Sequence, residues 1–411
     1  MRASRRAEGE ARERSATSGN ASERNEAIGD GSARSTRQIL CGEVLALGAA
    51  IAALCTSSPV YADGSVTLRG AYYKERATRV MQPMLDAMFD AGTRGLVTVH
   101  VLVDSITSAS ASAGAENAEP FTERRYEGGG GYTHEMSIGR AGFEGKYSSE
   151  PDYKSLYVGA RGELELAQRN TVLGLGAGFS TDTISGGGTQ GISQPMLQCD
   201  PQSMATALDC KLNTYSLFAS ASQILSRNAV VAITYDIAVL RGYQSNPYRT
   251  VLAESGTPAE RHPDERLRQA IAGSLRYYLT PSHTTLIGAY RYYRDDWKVR
   301  AHTPELRVVQ EVGHTADASL RYRFHSQDGA VFYRDRYGDP TMYDYLSDDV
   351  KLDTFTSHTM EAKLGVLGEA FGLNGSWAGA RLEGILQYIV QHNRFGNAIT
   401  AHLAVTVPFE Y

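Results

Sequence analysis

Apolar and polar residues alternate along most of the chain, and the alternation is clearest in the final segment, from Ile399 to Tyr411. Every second residue there is apolar, while most of the residues between them are polar. A strand with this period of two has one apolar face and one polar face. The segment ends on Phe409 and Tyr411, two aromatic residues that share the apolar face. The chain therefore ends in a predicted amphipathic strand.

The same alternation recurs in fifteen earlier segments, so the sequence predicts sixteen strands. The segment from Arg79 to Asp90 has the weakest signal, because Pro83 interrupts it and its apolar residues also fit the spacing of a short helix. Fourteen strands therefore remain an alternative. The predicted strands are 65–74, 79–90, 96–105, 121–135, 140–149, 154–166, 171–183, 211–224, 229–240, 266–279, 285–294, 298–310, 315–325, 352–367, 378–391 and 399–411.

The connections between these strands alternate in length along the chain. One set consists mostly of tight turns, whereas the other contains the long polar stretches 108–120, 185–210, 241–265 and 327–351. Short periplasmic turns and long outer loops are typical of bacterial outer-membrane barrels, while a β-sandwich has no reason to sort its loops in this way. We therefore predict an all-β fold, a single closed antiparallel transmembrane β-barrel with both termini in the periplasm.

The N-terminal part predicts export. Residues 1–35 are polar and patternless, which indicates a disordered segment or a wrongly assigned start. Residues 36–62 contain an apolar stretch after Arg37 and the small-residue pattern Val60-Tyr61-Ala62, which together indicate a signal peptide. Residues 63–411 then form the barrel, and the predicted location is the outer membrane of a Gram-negative bacterium.

The amino-acid composition excludes some kinds of binding partner and favours others. The net charge of −5 argues against a nucleic-acid surface, and the 41 glycines and 24 tyrosines suit a barrel wall with aromatic girdles. The expected partners are outer-membrane lipid and the barrel-assembly machinery. The aromatic ending resembles the signal that this machinery recognises, so Phe409 and Tyr411 are the predicted assembly signal. No cofactor is predicted.

Two cysteines, Cys199 and Cys210, lie in the predicted barrel, within one turn-rich stretch. An exported chain with two cysteines this close together favours a disulfide in an outer loop. Two free thiols are the alternative.

Charged residues on the polar faces of the strands are the candidate functional residues, because those faces line the predicted lumen. Facing rows of opposite charge would filter polar solutes; the alternative is that the ions pair with one another and plug or stiffen the lumen. The basic members are Arg266, Arg268, Arg276, Arg291, Arg307, Arg321 and Arg323. The acidic members are Asp86, Asp90, Asp104, Glu163, Glu165 and Asp236.

Other sequence features give weaker signals. Asp295-Asp296-Trp297 is interpreted as a tight outer turn with an interfacial Trp anchor, and 333–349 as a solvated loop. The alternative is a cation site for the paired carboxylates, and a cation or sugar site for the loop. A barrel hydrolase needs Ser, His and an acid or amide close together. Ser357 and His358 are adjacent in a strand and face opposite sides. With neither catalytic nor metal-binding spacing in the sequence, we predict no enzyme and no metal site.

Three stretches together resemble a known family. They are Ser65 to Tyr73, Asp104 to Ser110, and the Tyr-rich segment Tyr290 to Trp297, which precedes Arg300-Ala301-His302-Thr303. The set is similar to the bacterial family of predicted outer-membrane barrels catalogued as domain of unknown function 3570. The resemblance implies this fold and location without an established activity. Because members are often encoded beside small lipoproteins and flavin- or thioredoxin-related proteins, it also implies a small lipoprotein or redox protein as partner.

The sequence thus favours a porin-like channel or transporter for small polar solutes. The first alternative is a structural or docking barrel for a partner of an envelope redox system. The second alternative is a surface hydrolase.

Overall fold

The computed structural model describes residues 63–76, 78–108, 121–186, 196–203 and 205–410. The predicted disordered segment, the predicted signal peptide and Tyr411 lie outside these residues. Sixteen strands make up the described chain. They are β1 Gly64–Lys74, β2 Thr78–Ala91, β3 Gly95–Ser108, β4 Phe121–Met136, β5 Gly139–Ser149, β6 Tyr153–Leu166, β7 Thr171–Ser185, β8 Asp209–Ser226, β9 Ala229–Gly242, β10 Glu265–Leu279, β11 Thr284–Asp295, β12 Arg300–Val312, β13 Ala316–Gln327, β14 Phe355–Leu367, β15 Arg381–Gln391 and β16 Ala398–Phe409.

The strands form one closed barrel in which each pairs with its neighbours in sequence. All pairs are antiparallel, and β1 closes the ring against β16, in a register that places Gly64 opposite Phe409 and Lys74 opposite Ile399. Closure leaves no strand edge unpaired, which is the condition for crossing a bilayer with strands. The predicted closed antiparallel barrel of sixteen strands is confirmed, and the alternative of fourteen strands is wrong.

Strand β2 is continuous despite Pro83. Its register with β3 holds from Thr78 to Met81 and from Met84 to Ala91, with an interruption at Gln82 and Pro83. Proline has no backbone N–H to donate to the ladder, so the pairing lapses locally without ending the strand. The helical alternative for this segment is therefore wrong.

The connections differ at the two ends of the barrel. The end that holds Gly64 and Phe409, here called the terminal end, has turns of a few residues, except for the connection 368–380 with its two short 3-10 turns. The opposite end, here called the loop end, carries the long connections 186–208, 243–264 and 328–354. The predicted sorting of loop lengths is thus present, with one longer turn at the terminal end.

The wall has two distinct faces because side chains alternate along each strand. Large apolar residues such as Leu306, Leu320 and Leu403 are more than half exposed on the outward face. The opposite face lines the interior, where Thr67 on β1 and Thr406 on β16 share a hydrogen bond between hydroxyl groups (2.9 Å). Among the described residues, no helix has the length and apolarity needed to span a bilayer.

The turn between β4 and β5 shows why glycine is required at one position. Gly139 has a φ of 151°, and an added Cβ would lie 1.9 Å from the carbonyl oxygen of Glu163. A side chain at this position would collide with the neighbouring strand β6, so only glycine allows so tight a turn.

Candidate functional site: the charged interior and the loop end

The strand register places all thirteen predicted charged residues on the interior face. Seven arginines lie on four adjacent strands, β10 to β13, and are called here the arginine wall. Its members are Arg266, Arg268, Arg276, Arg291, Arg307, Arg321 and Arg323. Most of the predicted carboxylates lie on β2, β3 and β6. Because β3 and β11 are eight strands apart in a ring of sixteen, the acidic strands face the arginine wall across the interior.

Four members of the arginine wall have carboxylate partners. Glu305 on β12 accepts a hydrogen bond from Arg323 (Nε–Oε2 2.9 Å) and lies 3.5 Å from Arg307 and 3.6 Å from Arg321. Arg321 also pairs with Glu361 on β14. This cluster holds three arginines and two carboxylates, so it retains a net positive charge.

Arg266 has the fourth pairing, at the loop end. Its Nε donates to Asp295 (2.9 Å), and its guanidinium lies 3.9 Å from the ring centroid of Trp297. Asp295 also accepts from the backbone N–H of Val299 (2.9 Å) and the hydroxyl of Tyr293 (2.8 Å). A carboxylate with this many donors is fixed in a structural role.

Three arginines, Arg268, Arg276 and Arg291, have no carboxylate within 4.0 Å among the described residues. Arg291 lies opposite Ala272, midway between Arg268 and Arg276 along β10. The three guanidinium groups therefore follow one another at steps of four residues, or roughly 13 Å along the strand. We call this row the arginine column; it runs from the loop end toward the terminal end.

The predicted carboxylates are mostly paired. Asp86 lies 2.6 Å from His100 and 3.6 Å from Arg69, while Asp104 lies 3.2 Å from Arg125. Glu163 pairs with Arg140 (2.7 Å), and Glu165 pairs with Arg169 in the adjoining turn (2.7 Å). Asp90 and Asp236 have no ion pair among the described residues, and Asp236, on β9, borders the arginine wall. The interior therefore contains both ion-paired and unpaired charged residues.

The interior contains counter-ions that the sequence interpretation missed. Glu305 and Glu361 neutralise part of the arginine wall, yet neither was among the predicted residues. Both obey the same alternation as the arginines, so the parity of their strands would have identified them.

Three carboxylates at the loop end form another group outside the prediction. Oxygen atoms of Glu123, Glu150 and Asp152 all lie within 4.8 Å of one another, a spacing that could hold a cation. Arg125 lies 3.9 Å from Glu150, and Tyr248 donates to Asp152, so two of the three carboxylates already have protein partners. Burial raises the pKa of Glu150 above its usual value, and Arg125 opposes that shift.

Cys199 and Cys210 are joined by a disulfide, with their Cα atoms 5.3 Å apart. Cys210 belongs to β8 and is buried beside Ile184, Leu197 and Tyr243. The disulfide therefore fastens the loop between β7 and β8 to the barrel rim.

The connections 243–264 and 328–354 pack together into what we call the loop cluster. Its apolar centre consists of Val251, Tyr337 and Leu346, all at most 2% exposed. Backbone hydrogen bonds join Arg261 and Leu346 in both directions (2.9 and 2.8 Å). The prediction of a solvated loop over 333–349 holds only in part, because long-range packing buries Tyr337 and Leu346 whereas Arg336 and Met342 stay exposed.

A buried ionic network lies inside the loop cluster. The Arg249 guanidinium approaches Asp349 (2.7 Å) and Glu260 (3.8 Å). Glu260 also accepts from the Ser347 hydroxyl (2.7 Å) and lies 3.2 Å from Nε2 of His262. Burial alone would raise the pKa of Glu260, but hydrogen bonding to His262 and the nearby positive charges hold it below its usual value.

Trp297 is buried against the same end of the barrel. Its ring contacts Phe332 and His262 edge-on (centroid distances 5.2 and 5.1 Å), and its Nε1–H donates to the carbonyl of Glu265 (3.0 Å). It is 4% exposed. The interpretation of Trp297 as an interfacial membrane anchor is therefore wrong: its N–H is satisfied inside the loop packing.

A cavity of about 650 Å³ lies between the disulfide-bonded loop and the loop cluster. Tyr243, Asn246, Arg261 and Asp264 contribute to its lining. The size suits a small organic ligand. A second cavity, of about 290 Å³, lies against the interior wall beside Arg69, Asp86 and His100. The wall residues there therefore leave space inside the barrel.

The loop cluster is expected to lose stability in acid. Because the pKa of Glu260 is lower in the folded cluster than its usual 4.5, its contribution is present above that pH and is lost as the pH falls through the folded pKa. In a Trp377→Phe variant, Trp297 is the only tryptophan and its fluorescence reports on the cluster. We expect a red shift between pH 6 and pH 3. The same titration with Glu260→Gln added should be flatter, and an unchanged titration would contradict the role of Glu260.

Comparison of the chain with known protein families identifies its family. The family described as Protein of unknown function (DUF3570) matches residues 115–383. This is more than half of the chain, so the protein belongs to that family. The Tyr290 to Trp297 motif lies inside the matched region. No curated protein matches the chain.

Several solved structures align with most of this chain at low sequence identity. The chain is similar to a bacterial polysaccharide outer membrane secretin at 6% identity, with 86% of this chain and 100% of that chain covered and a TM-score of 0.50. Pseudomonas aeruginosa OccK2 (OpdF) in complex with glucuronate aligns at 12% identity over 85% and 98% of the two chains, with a TM-score of 0.43. Pseudomonas aeruginosa OprD aligns at 8% identity over 85% and 94%, with a TM-score of 0.44. At 6% identity, the similarity to the secretin is one of fold alone.

Proposed function

We propose that the protein is an outer-membrane channel for small polar solutes that favours anions. The observation that carries the proposal is the arginine column of Arg268, Arg276 and Arg291, whose guanidinium groups have no carboxylate partner in the part of the chain that the structure describes. An anion that passes along β10 and β11 meets successive cations roughly 13 Å apart, so no single site has to bind it tightly. Weak binding at several successive sites is what conduction requires.

The rest of the interior supports this function. The paired arginines around Glu305 add positive charge to the same wall, and the acidic strands opposite create a field across the lumen. A barrel of sixteen strands is wide enough to hold water between the two walls. The loop end, with its folded loop cluster, faces the cell exterior in this proposal and forms the entrance.

Replacing the arginine column with glutamine is expected to reduce anion preference. The variant R268Q/R276Q/R291Q keeps side chains of similar polarity while it removes three interior charges. A unit charge at about 4 Å in a water-like medium is worth about 1 kcal/mol, which corresponds to about a fivefold change. We expect the chloride-to-potassium permeability ratio, measured from the reversal potential in a KCl gradient across a planar bilayer, to fall by about that factor.

The matched control replaces three exposed arginines in connections, R94Q/R227Q/R336Q, with the same change in net charge. It should leave the permeability ratio unchanged. Equal ratios for both variants would reject the arginine column as a filter. A silent wild-type protein would instead favour a barrel whose lumen is filled by a partner.

A further inference from the structure

Basic residues on the outward face of the barrel are confined to one end. Among the described strand residues, the terminal half of that face has no Lys or Arg. At the loop end, eight strands carry a Lys or Arg on the outward face, close to where each strand meets its loop. These residues are Lys74, Arg79, Arg124, Lys154, Lys211, Arg241, Arg294 and Arg300.

Six of these residues form three couples of like charge, and two of the couples are directly opposed across a strand pair. Lys74 lies opposite Arg79 across β1 and β2, and Arg294 lies opposite Arg300 across β11 and β12. The third couple, Lys154 and Lys211, is described below. All six side chains are exposed. Like charges directly opposite each other destabilise a strand pair, so the first two couples carry a cost in the protein alone.

The third couple has a residue between its members. Lys154 on β6 and Lys211 on β8 both lie opposite Thr183 on β7, and Lys211 donates to the Thr183 hydroxyl (2.5 Å). None of the six basic residues has a carboxylate within 4.0 Å among the described residues. By contrast, Arg241 pairs with Glu265 on the same face (3.3 Å).

Aromatic residues indicate the depth of the Arg294 and Arg300 couple relative to the bilayer. Next to Arg294 and Arg300, the His302 ring packs against Tyr292 (centroid distance 5.1 Å) and shares a hydrogen bond with the Tyr290 hydroxyl (2.5 Å). Aromatic residues with a polar tip are typical of the boundary between the apolar band and the headgroups. The arginines lie one step beyond that boundary, at the level of the headgroups.

We propose that the three couples bind a phosphorylated glycolipid of the outer leaflet. A phosphate between two basic side chains turns their repulsion into two charge-assisted contacts, and arginine is suited to hold it by two hydrogen bonds at once. The asymmetry between the two ends matches a bilayer with one strongly anionic leaflet. The couples lie on three separate sectors of the barrel, so several lipid molecules would surround it.

Native mass spectrometry of the detergent-purified barrel with added lipid A tests the proposal. The variant K74Q/R79Q/K154Q/K211Q/R294Q/R300Q should bind bisphosphorylated lipid A at least about tenfold more weakly than the wild type, since each couple loses its charge-assisted contacts. The wild type should lose a similar factor when the lipid is dephosphorylated. If the sixfold variant does not fold, the three double variants replace it, and each should lose part of the binding.

The double variant R94Q/R227Q, at the terminal end, is the control for R294Q/R300Q because it removes the same charge. It should bind lipid A as the wild type does. Equal binding by R294Q/R300Q and R94Q/R227Q, or equal binding of phosphorylated and dephosphorylated lipid, overturns the proposal. Ion permeability should be unaffected in every variant, which separates this test from that of the channel function.

Discussion

A chain that lacks Phe409 to Tyr411 is expected to fail to accumulate as a folded barrel. Strand β16 closes the ring, and its last described pairs place Phe409 opposite Gly64, with the Phe409 ring so near that a Cβ on Gly64 would lie 2.5 Å from it. Burying aromatic rings contributes only a few kcal/mol, which is modest for a wall of sixteen strands. We therefore attribute the loss to recognition of the last strand, which precedes formation of the wall.

Cell fractionation and gels run with and without boiling measure this outcome. A closed barrel stays folded in detergent until it is boiled, because no strand edge is free, so the two samples migrate differently. The control Val405→Ala removes apolar surface from the same face of β16 and should still assemble. Phe409→Ala should assemble less than that control. A normal amount of heat-modifiable protein after the deletion would show that Phe409 and Tyr411 are not the assembly signal.

The sequence was sufficient to predict the wall. Every observed strand overlaps its predicted segment, and the ends differ by at most about three residues. This agreement has a physical basis, because successive side chains of each barrel strand must face the lipid and the lumen in turn. The period of two continues even through Pro83. The same rule places Arg268 and Arg291 in the interior. It places Glu305 there as well, although Glu305 was not among the predicted residues.

The loops could not be predicted in the same way. Trp297 and Tyr337 are buried by residues far away in the chain, such as Phe332 for the first and Val251 for the second. No local pattern marks such contacts, since loop residues have no fixed period and turn residues look alike in packed and solvated loops. The charge pairs are also invisible locally: Arg249 and Asp349 are one hundred residues apart.

Replacing Arg249 with methionine is expected to unfold the loop cluster while the barrel remains closed. Arg249 is 6% exposed and is the cation that approaches both Glu260 and Asp349. Without Arg249, the negative charges of two carboxylates stay at a buried site. His262 and Ser347 compensate these charges only in part. Removing one partner of a buried ion pair typically costs about 3–5 kcal/mol, which exceeds what one small packed cluster can lose without opening.

Trp297 fluorescence in a Trp377→Phe background, together with hydrogen exchange of residues 243–264, measures the opening. Arg249→Met should shift the emission to the red and remove protection at the amide of Arg261, which donates to Leu346 in the closed cluster (2.9 Å). Arg336→Met, an exposed arginine of the same cluster, is the matched control and should change neither signal. Adding Glu260→Gln to Arg249→Met should recover part of the lost stability, because it removes one of the uncompensated charges. If Arg249→Met keeps full protection, then the apolar centre around Val251 and Tyr337 holds the cluster by itself, and the ionic network contributes little to it.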